Sequence, residues 1–276
     1  MPLNFGLAGK SYPPHNVTIE AAAIEAYARA TSDLNPRYLE GDDRPAPPLF
    51  AVVAAFPIML QVTGDPELGV ENPLKILHGA QAFRYHRRLR AGETVVLTPV
   101  LESVDDKGSG ATFVVRIEAA SRGEPVVDQW WTIFVRGAGS GTRREREARP
   151  EGPVRTGEVA RFAQKIEEDM PTRYAEASGD HNPIHLDDQV AKAVGLPGVI
   201  NHGLGTLALV SGGLVDHLMQ GDPERLERLA ARFTLPVRPG DEISTTVWAV
   251  ERPGAFGYEV ARPDERVAVV GELEAR

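Results

Sequence analysis

No cysteine occurs among the 276 residues. Disulfides, thiolate nucleophiles and cysteine-ligated metals are therefore excluded. Long apolar runs are also missing. The longest, residues 49–60, is interrupted by Pro57 and falls short of the roughly 20 residues a bilayer span needs. It reads as a buried helix, and no membrane association is expected. Residues 1–10 lack a basic segment followed by an apolar one, so no signal peptide is expected. With the missing cysteines, this fits a cytoplasmic protein. Positive charge is in deficit: 30 Lys and Arg stand against 39 Asp and Glu, a formal net charge of −9. A surface of that sign repels polyanions, so nucleic acid is not an expected partner.

What is present begins with two local exceptions to the acidic balance. Arg84, Arg87, Arg88 and Arg90 form a basic cluster. The first three are candidates to meet a phosphate-bearing ligand, because guanidinium groups suit phosphate; a solvated strand edge is the competing reading. The arginines of 143–149 alternate with Glu145 and Glu147 and read as a solvated linker.

The chain repeats itself. Residues 27–38 (YARATSDLNPRY) and 174–185 (YAEASGDHNPIH) share six of twelve positions, with Asp33 and Asp180 offset by 147. Residues 85–93 (YHRRLRAGE) match 233–241 (FTLPVRPGD) at an offset of 148. Two blocks at nearly one offset mean two copies of one domain. The Gly-, Arg-, Glu- and Pro-rich stretch 137–153 has linker composition. The halves are therefore expected at 1–145 and 146–276. Each copy shows a short helix (18–31, with Thr18 as N-cap, and 170–178). A loop carrying Asp-x-Asn-Pro follows, then a long apolar helix (49–62 and 203–220). Alternating, β-branched segments come next: 77–89, 94–104, 112–119 and 126–135 in the first copy, 230–237, 243–250, 258–261 and 267–273 in the second. One helix followed by consecutive strands implies an α+β fold, an antiparallel sheet wrapped on a central helix.

The most informative stretch is Ser178-Gly179-Asp180-His181-Asn182-Pro183-Ile184-His185. Pro183 breaks any helix through it, so Asp180 and His185 sit on a compact loop. A carboxylate and an imidazole sharing one water can act as general base and general acid. A plain Asx-turn with a surface histidine is the bland alternative. The first copy keeps Asp33, Asn35 and Pro36 but has Tyr38 where the second has His185. Downstream, Asn201-His202-Gly203-Leu204-Gly205 opens the long helix. Backbone N–H groups at a helix start form an anion site, suited to an oxygen gaining negative charge; close packing alone would also ask for glycines there. Ser211, two turns on, either faces the same pocket or is an ordinary core serine.

These residues closely resemble the MaoC-like (R)-specific enoyl-CoA hydratases. The likeness rests on Tyr174, the loop 178–185, His202-Gly203 and the strand motif Phe233-x-x-Pro236-Val237-x-Pro239-Gly240-Asp241, and covers most of 155–250. The first copy resembles the degenerate N-terminal half of two-domain, hydratase 2 type members. The resemblance implies a tandem hot-dog fold, an intrachain pseudo-dimer that could pair further into a homodimer, and an acyl-CoA thioester substrate. The Asp and His roles fall on Asp180 and His185 and the oxyanion amide on Gly203, with Asn182, His202 and Ser211 supporting the substrate. It implies hydration of a trans-2-enoyl-CoA to the (3R)-3-hydroxyacyl-CoA, with no cofactor and no metal. Two-domain relatives carry a loop similar to Leu77-His78-Gly79-Ala80-Gln81, some with an acid where Ala80 stands; this chain departs there.

Competing readings are a hot-dog thioesterase, which needs a carboxylate and water but not the full loop, and a non-catalytic acyl-CoA-binding module. Residues 203–208 match the dinucleotide pattern G-x-G-x-x-G/A, but no strong strand precedes them and strands rather than βα units follow. A metal site from His181, His185 and His202 is allowed by residue type, yet Pro183 spoils helical ligand spacing.

Overall fold

The computed structural model describes residues 2–141 and 154–276. The expected boundary near residue 145 and the basic cluster 143–149 lie outside them. In chain order the elements are β1 (His15–Thr18), α1 (Ala21–Ala30), α2 (Pro36–Leu39), α3 (Ala51–Thr63), β2 (Ile76–Tyr85), β3 (Thr94–Asp106), β4 (Gly110–Ser121) and β5 (Glu124–Arg136). Then follow β6 (Arg155–Lys165), α4 (Met170–Ser178), α5 (Asp188–Ala193), α6 (Gly203–Met219), β7 (Leu226–Phe233), β8 (Glu242–Val250), β9 (Ala255–Ala261) and β10 (Val267–Ala275).

All ten strands form one antiparallel sheet in the order β1-β3-β4-β5-β2-β7-β10-β9-β8-β6. The order reads as two matching sets of five, and the repeat seen in sequence is repeated in the sheet. The sets meet where β2 pairs with β7, from Ala80 opposite Arg232 to Arg84 opposite Arg228. A continuous sheet removes two of the four edges that separate halves would expose.

Two apolar helices fill the concave face. Every residue of α6 from Leu204 to Val215 is buried, and α3 buries Ala51, Val52, Ala54, Ala55, Ile58, Met59 and Val62. Helices apolar on nearly every face are stable only when surrounded, which is why each sits inside its sheet. The result is a double hot-dog, the α+β arrangement expected from the element order. The short helices of the two halves pack together, and the repeat-equivalent Tyr27 and Tyr174 meet with ring centroids 5.8 Å apart.

Several boundaries differ from expectation. Thr18 does not cap a helix: it ends β1 opposite Thr94, and α1 starts at Ala21 after Glu20. Pairing with β3 captures a segment too short to announce itself. The strand expected at 230–237 is β7 at Leu226–Phe233, and β2 ends at Tyr85 rather than 89. β6, an edge strand exposed over 155–159, shows no alternation to read there.

Candidate functional site

The loop between α4 and α5 is shaped by interactions a few residues long. α4 ends at Gly179, whose φ of 81° closes the helix with its N–H on the Ala175 carbonyl. That left-handed conformation favours glycine. The Asp180 N–H then donates to Ser178 Oγ (3.2 Å), and the Asn182 N–H donates to Asp180 Oδ1 (3.2 Å). Asn182 Oδ1 accepts from the Ile184 N–H (3.3 Å), capping a 3₁₀ turn over Pro183–His185. Asn35 caps the first-copy turn in the same way, through the Arg37 N–H. Asp-x-Asn-Pro is thus a loop-shaping device in both halves, and the oxygen of Asn182 is spent on it.

His185 follows on this turn, 8% exposed. Its Nδ1–H donates to the Ile200 carbonyl at 2.9 Å, which fixes the tautomer and leaves Nε2 as the free nitrogen. Burial holds its pKa below the ordinary imidazole range, outweighing the attraction of Asp180. His202, at the N-cap of α6, is 1% exposed. Its Nε2–H donates to the Asp180 carbonyl (2.9 Å), and its ring stacks on His185 with centroids 3.8 Å apart. Burial, and then His185, hold it well below the ordinary range, so it stays neutral.

The ligand atoms of Asp180, His185 and His202 all lie within 4.8 Å of one another. This set fits a metal poorly. The two rings lie nearly parallel, so their nitrogen lone pairs run side by side instead of converging, and His202 Nε2 already carries a donated proton. His181, expected as a possible ligand, points elsewhere: it is exposed and 3.9 Å from Glu176. What the set can hold is a water, between an acceptor carboxylate and the free Nε2 of His185.

Gly203 opens α6 directly beside this set, and His202 gives the helix no side-chain cap. The first-turn amides are therefore unspent by a cap. A Cβ on Gly203 would lie 3.3 Å from the ring of Phe233, so glycine lets the helix start press against β7. The first half also reaches the loop: Phe56 of α3 packs within 3.6 Å of the Cβ position at Gly179.

Other expected residues are not gathered here. Ser211 is buried (2%), and its hydroxyl has no hydrogen-bond partner; no bond joins it to Asp180 or His185. Within the basic cluster, the expectation for Arg88 is corrected. Arg88 is 2% exposed, its guanidinium 3.6 Å over the Tyr85 ring and bonded to the Leu226 carbonyl, so it is closed to an outside phosphate. Arg87 is committed to Glu93 through two bonds of 3.0 and 2.7 Å. Arg84 is exposed on β2, six residues from His78 and so about 20 Å along the strand. Sequence reasoning missed the row His78, Gln81 and Trp131, whose only signal was the 77–81 motif.

The equivalent place in the first half is filled. Tyr38, standing where His185 stands in the repeat, is fully buried with an unpartnered hydroxyl, its pKa raised well above 10 by burial. Asp33 lines a cleft of about 670 Å³ with Asn35, Gln164, Gly212 and Asp216. Burial, and then Asp216, push its carboxyl up to about 7.

Residues 142–268 match the MaoC like domain, and residues 7–129 the FAS1-like dehydratase domain region. The chain is 37% identical to 3-hydroxyacyl-thioester dehydratase Y of Mycobacterium tuberculosis, over 81% of this chain and 78% of that protein. It is 29% identical to a probable enoyl-CoA hydratase 2 of Dictyostelium discoideum, over 86% and 83%. The crystal structure of a MaoC-like dehydratase from Phytophthora capsici superposes with a TM-score of 0.80 at 26% identity, covering 98% of this chain and 97% of the other. The chain, two hot-dog halves in one sheet, belongs to the MaoC-like dehydratase family.

Proposed function

We propose that this protein is a hydro-lyase that adds water to a trans-2-enoyl-CoA, giving the (3R)-3-hydroxyacyl-CoA, and catalyses the reverse dehydration. One observation carries the reading: the Asp180 carboxylate and the imidazole of His185, whose Nε2 is left free by the bond from Nδ1 to Ile200, bring ligand atoms within 4.8 Å of one another beside the uncapped start of α6. Asp180 and His185 hold the water, and its oxygen attacks C3. The proton it loses passes to this pair, and one proton is delivered to C2, so the sum is H and OH across the double bond. The Gly203 N–H takes the thioester oxygen while it carries enolate charge, which supports catalysis because the amide is already in place. His185, neutral through burial, is ready to accept a proton near neutral pH. No cofactor takes part in this sequence.

We place the chemistry in the half 146–276 and binding support in 1–145. No helix among the described residues is long and apolar enough to cross a membrane. The test is loss of enoyl absorbance when crotonyl-CoA is added. Release of free CoA thiol instead would identify a thioesterase, and saturable binding with neither signal would identify a binding module.

A further inference from the structure

Two buried glutamines occupy neighbouring places on the concave face of the sheet, and they differ in one respect. Gln129, fully buried, spends both ends: its Nε2 donates to the Ala51 carbonyl at the start of α3 (2.9 Å), and its Oε1 accepts from Trp131 Nε1 (3.1 Å). Gln81, 1% exposed, spends neither: Nε2 and Oε1 are both enclosed and without a hydrogen-bond partner. A buried polar group left unpaired has given up its hydration without a replacement, which is costly. A carboxamide with both ends unpaired is therefore matched to something that brings a donor and an acceptor.

Its position says what that is. Gln81 lies opposite Trp131 on β5 and opposite Ala231 on β7, at the seam of the two halves. A β-bulge at Gly79 shifts the register so that His78, opposite Ile133, faces the same way as Gln81 although they stand three positions apart. The His78 ring stacks on Trp131 (5.2 Å) and meets Phe233 edge-on (5.3 Å). The Gln81 carboxamide approaches His78 without reaching hydrogen-bond geometry. Phe233 is two residues on from Ala231, so Gln81 and Phe233 are diagonal neighbours, about 7–8 Å apart at Cα. Phe233 is also the ring against which Gly203 rests. The open carboxamide thus stands one side chain away from the amide assigned to the thioester oxygen. Its ring neighbour is uncharged: burial keeps His78 neutral, its pKa pushed down to about 4.

We propose that Gln81 binds the secondary amide that a CoA or carrier-protein thioester carries two methylenes from its sulfur. This rests on the thioester hydro-lyase reading. The ligand group is neutral, offers one donor and one acceptor, and lies a few ångströms from the thioester, which are the three properties the site asks for. A simple 2-enoyl chain has no such group on its acyl side. The non-catalytic half thereby supplies a residue that contacts substrate in the other half's site, and the site is incomplete without it.

The test compares wild type with Gln81→Leu, which keeps the volume and removes both polar ends, on crotonyl-CoA, crotonyl-N-acetylcysteamine and S-propyl crotonothioate. The last lacks the amide. Gln81→Leu is expected to raise KM about tenfold for the two amide-bearing substrates, with kcat within threefold, and to leave the propyl thioester unchanged. An equal effect on all three, or none on any, overturns the proposal. So does a penalty confined to acyl chains that carry a hydroxyl. Competition binding of butyryl-CoA and S-propyl butanethioate to both proteins reads the same ratio without turnover. A wild type that binds but does not hydrate would thus refute the hydro-lyase reading while still testing Gln81.

Discussion

His202 lies face to face with His185, the ring planes 27° from parallel and the centroids 3.8 Å apart, while its Nε2–H holds the Asp180 carbonyl at 2.9 Å. One buried ring therefore braces both residues assigned to the chemistry, and it stands next in the chain to Gly203. It was expected to support the substrate; its contacts with Asp180 and His185 predict a positioning role. His202→Phe keeps the stack and loses the donor. Loss of a hydrogen bond worth 0.5–1.5 kcal/mol predicts a fall in kcat of about 2- to 12-fold with KM nearly unchanged. His202→Ala, which also removes the brace, should fall further. Steady-state kinetics of the pair would sink this role if Phe and Ala behaved alike and like wild type.

Asp180→Asn keeps an oxygen for the Asn182 N–H, and His185→Gln keeps a polar side chain of similar reach. Both should retain the fold, with a circular dichroism melt close to wild type. Each should lose about 10²–10⁴ in kcat, the usual worth of a general acid or base. Turnover within tenfold of wild type in both would remove the assignment.

Stability should fall in acid. His78, His185 and His202 are all held below 6.5 by burial. Below pH 6.5 the unfolded chain takes up protons that the folded one refuses, so each contributes stability that is complete above 6.5 and lost as pH falls toward the folded value, 4 in the case of His78. The limiting loss is about 1.4 kcal/mol per pH unit for each group. Asp33, raised to about 7, acts in the opposite sense between pH 7 and 4, one group against three. Urea unfolding at pH 7 and pH 5 should show lower stability at pH 5; equal or higher stability there would contradict the burial of these rings.

Asp33→Asn isolates the opposing group. Asparagine keeps the loop acceptor and cannot ionise, so it removes the cost of a buried carboxylate beside Asp216. The variant should be stabilised at pH 8 by about 1 kcal/mol or more, roughly 2–4 °C in Tm, and the gain should vanish near pH 4. Because Tyr38 leaves this half without a proton shuttle, kcat should stay within twofold. Loss of turnover would show that the first half takes part in the chemistry.

Arg88→Ala is expected to act on folding and not on CoA affinity. It removes a buried side chain stacked on Tyr85 and bonded to the Leu226 carbonyl across the seam. The cost should be about 2 kcal/mol or more by chemical denaturation, with KM for crotonyl-CoA unchanged within twofold. A raised KM at wild-type stability would restore Arg88 as a phosphate contact.

By itself the sequence determined the duplication, the two apolar helices and the shape of the loop 178–185. Each is written in interactions a few residues long: the left-handed glycine at 179, the proline at 183, the asparagine caps at 35 and 182, and apolar runs at helical spacing. The edge strands β1 and β6 escaped because one is four residues long and the other begins with five exposed positions. The tertiary structure alone decided that β2 and β7 join the halves into one sheet, that Arg88 turns inward at that seam, and that His202 reaches back to Asp180. It alone put His78 and Gln81 on one face, through a bulge that shifts their register by a residue. These outcomes depend on which strands lie side by side and in what register, and a single-residue change in register reverses which face a side chain meets.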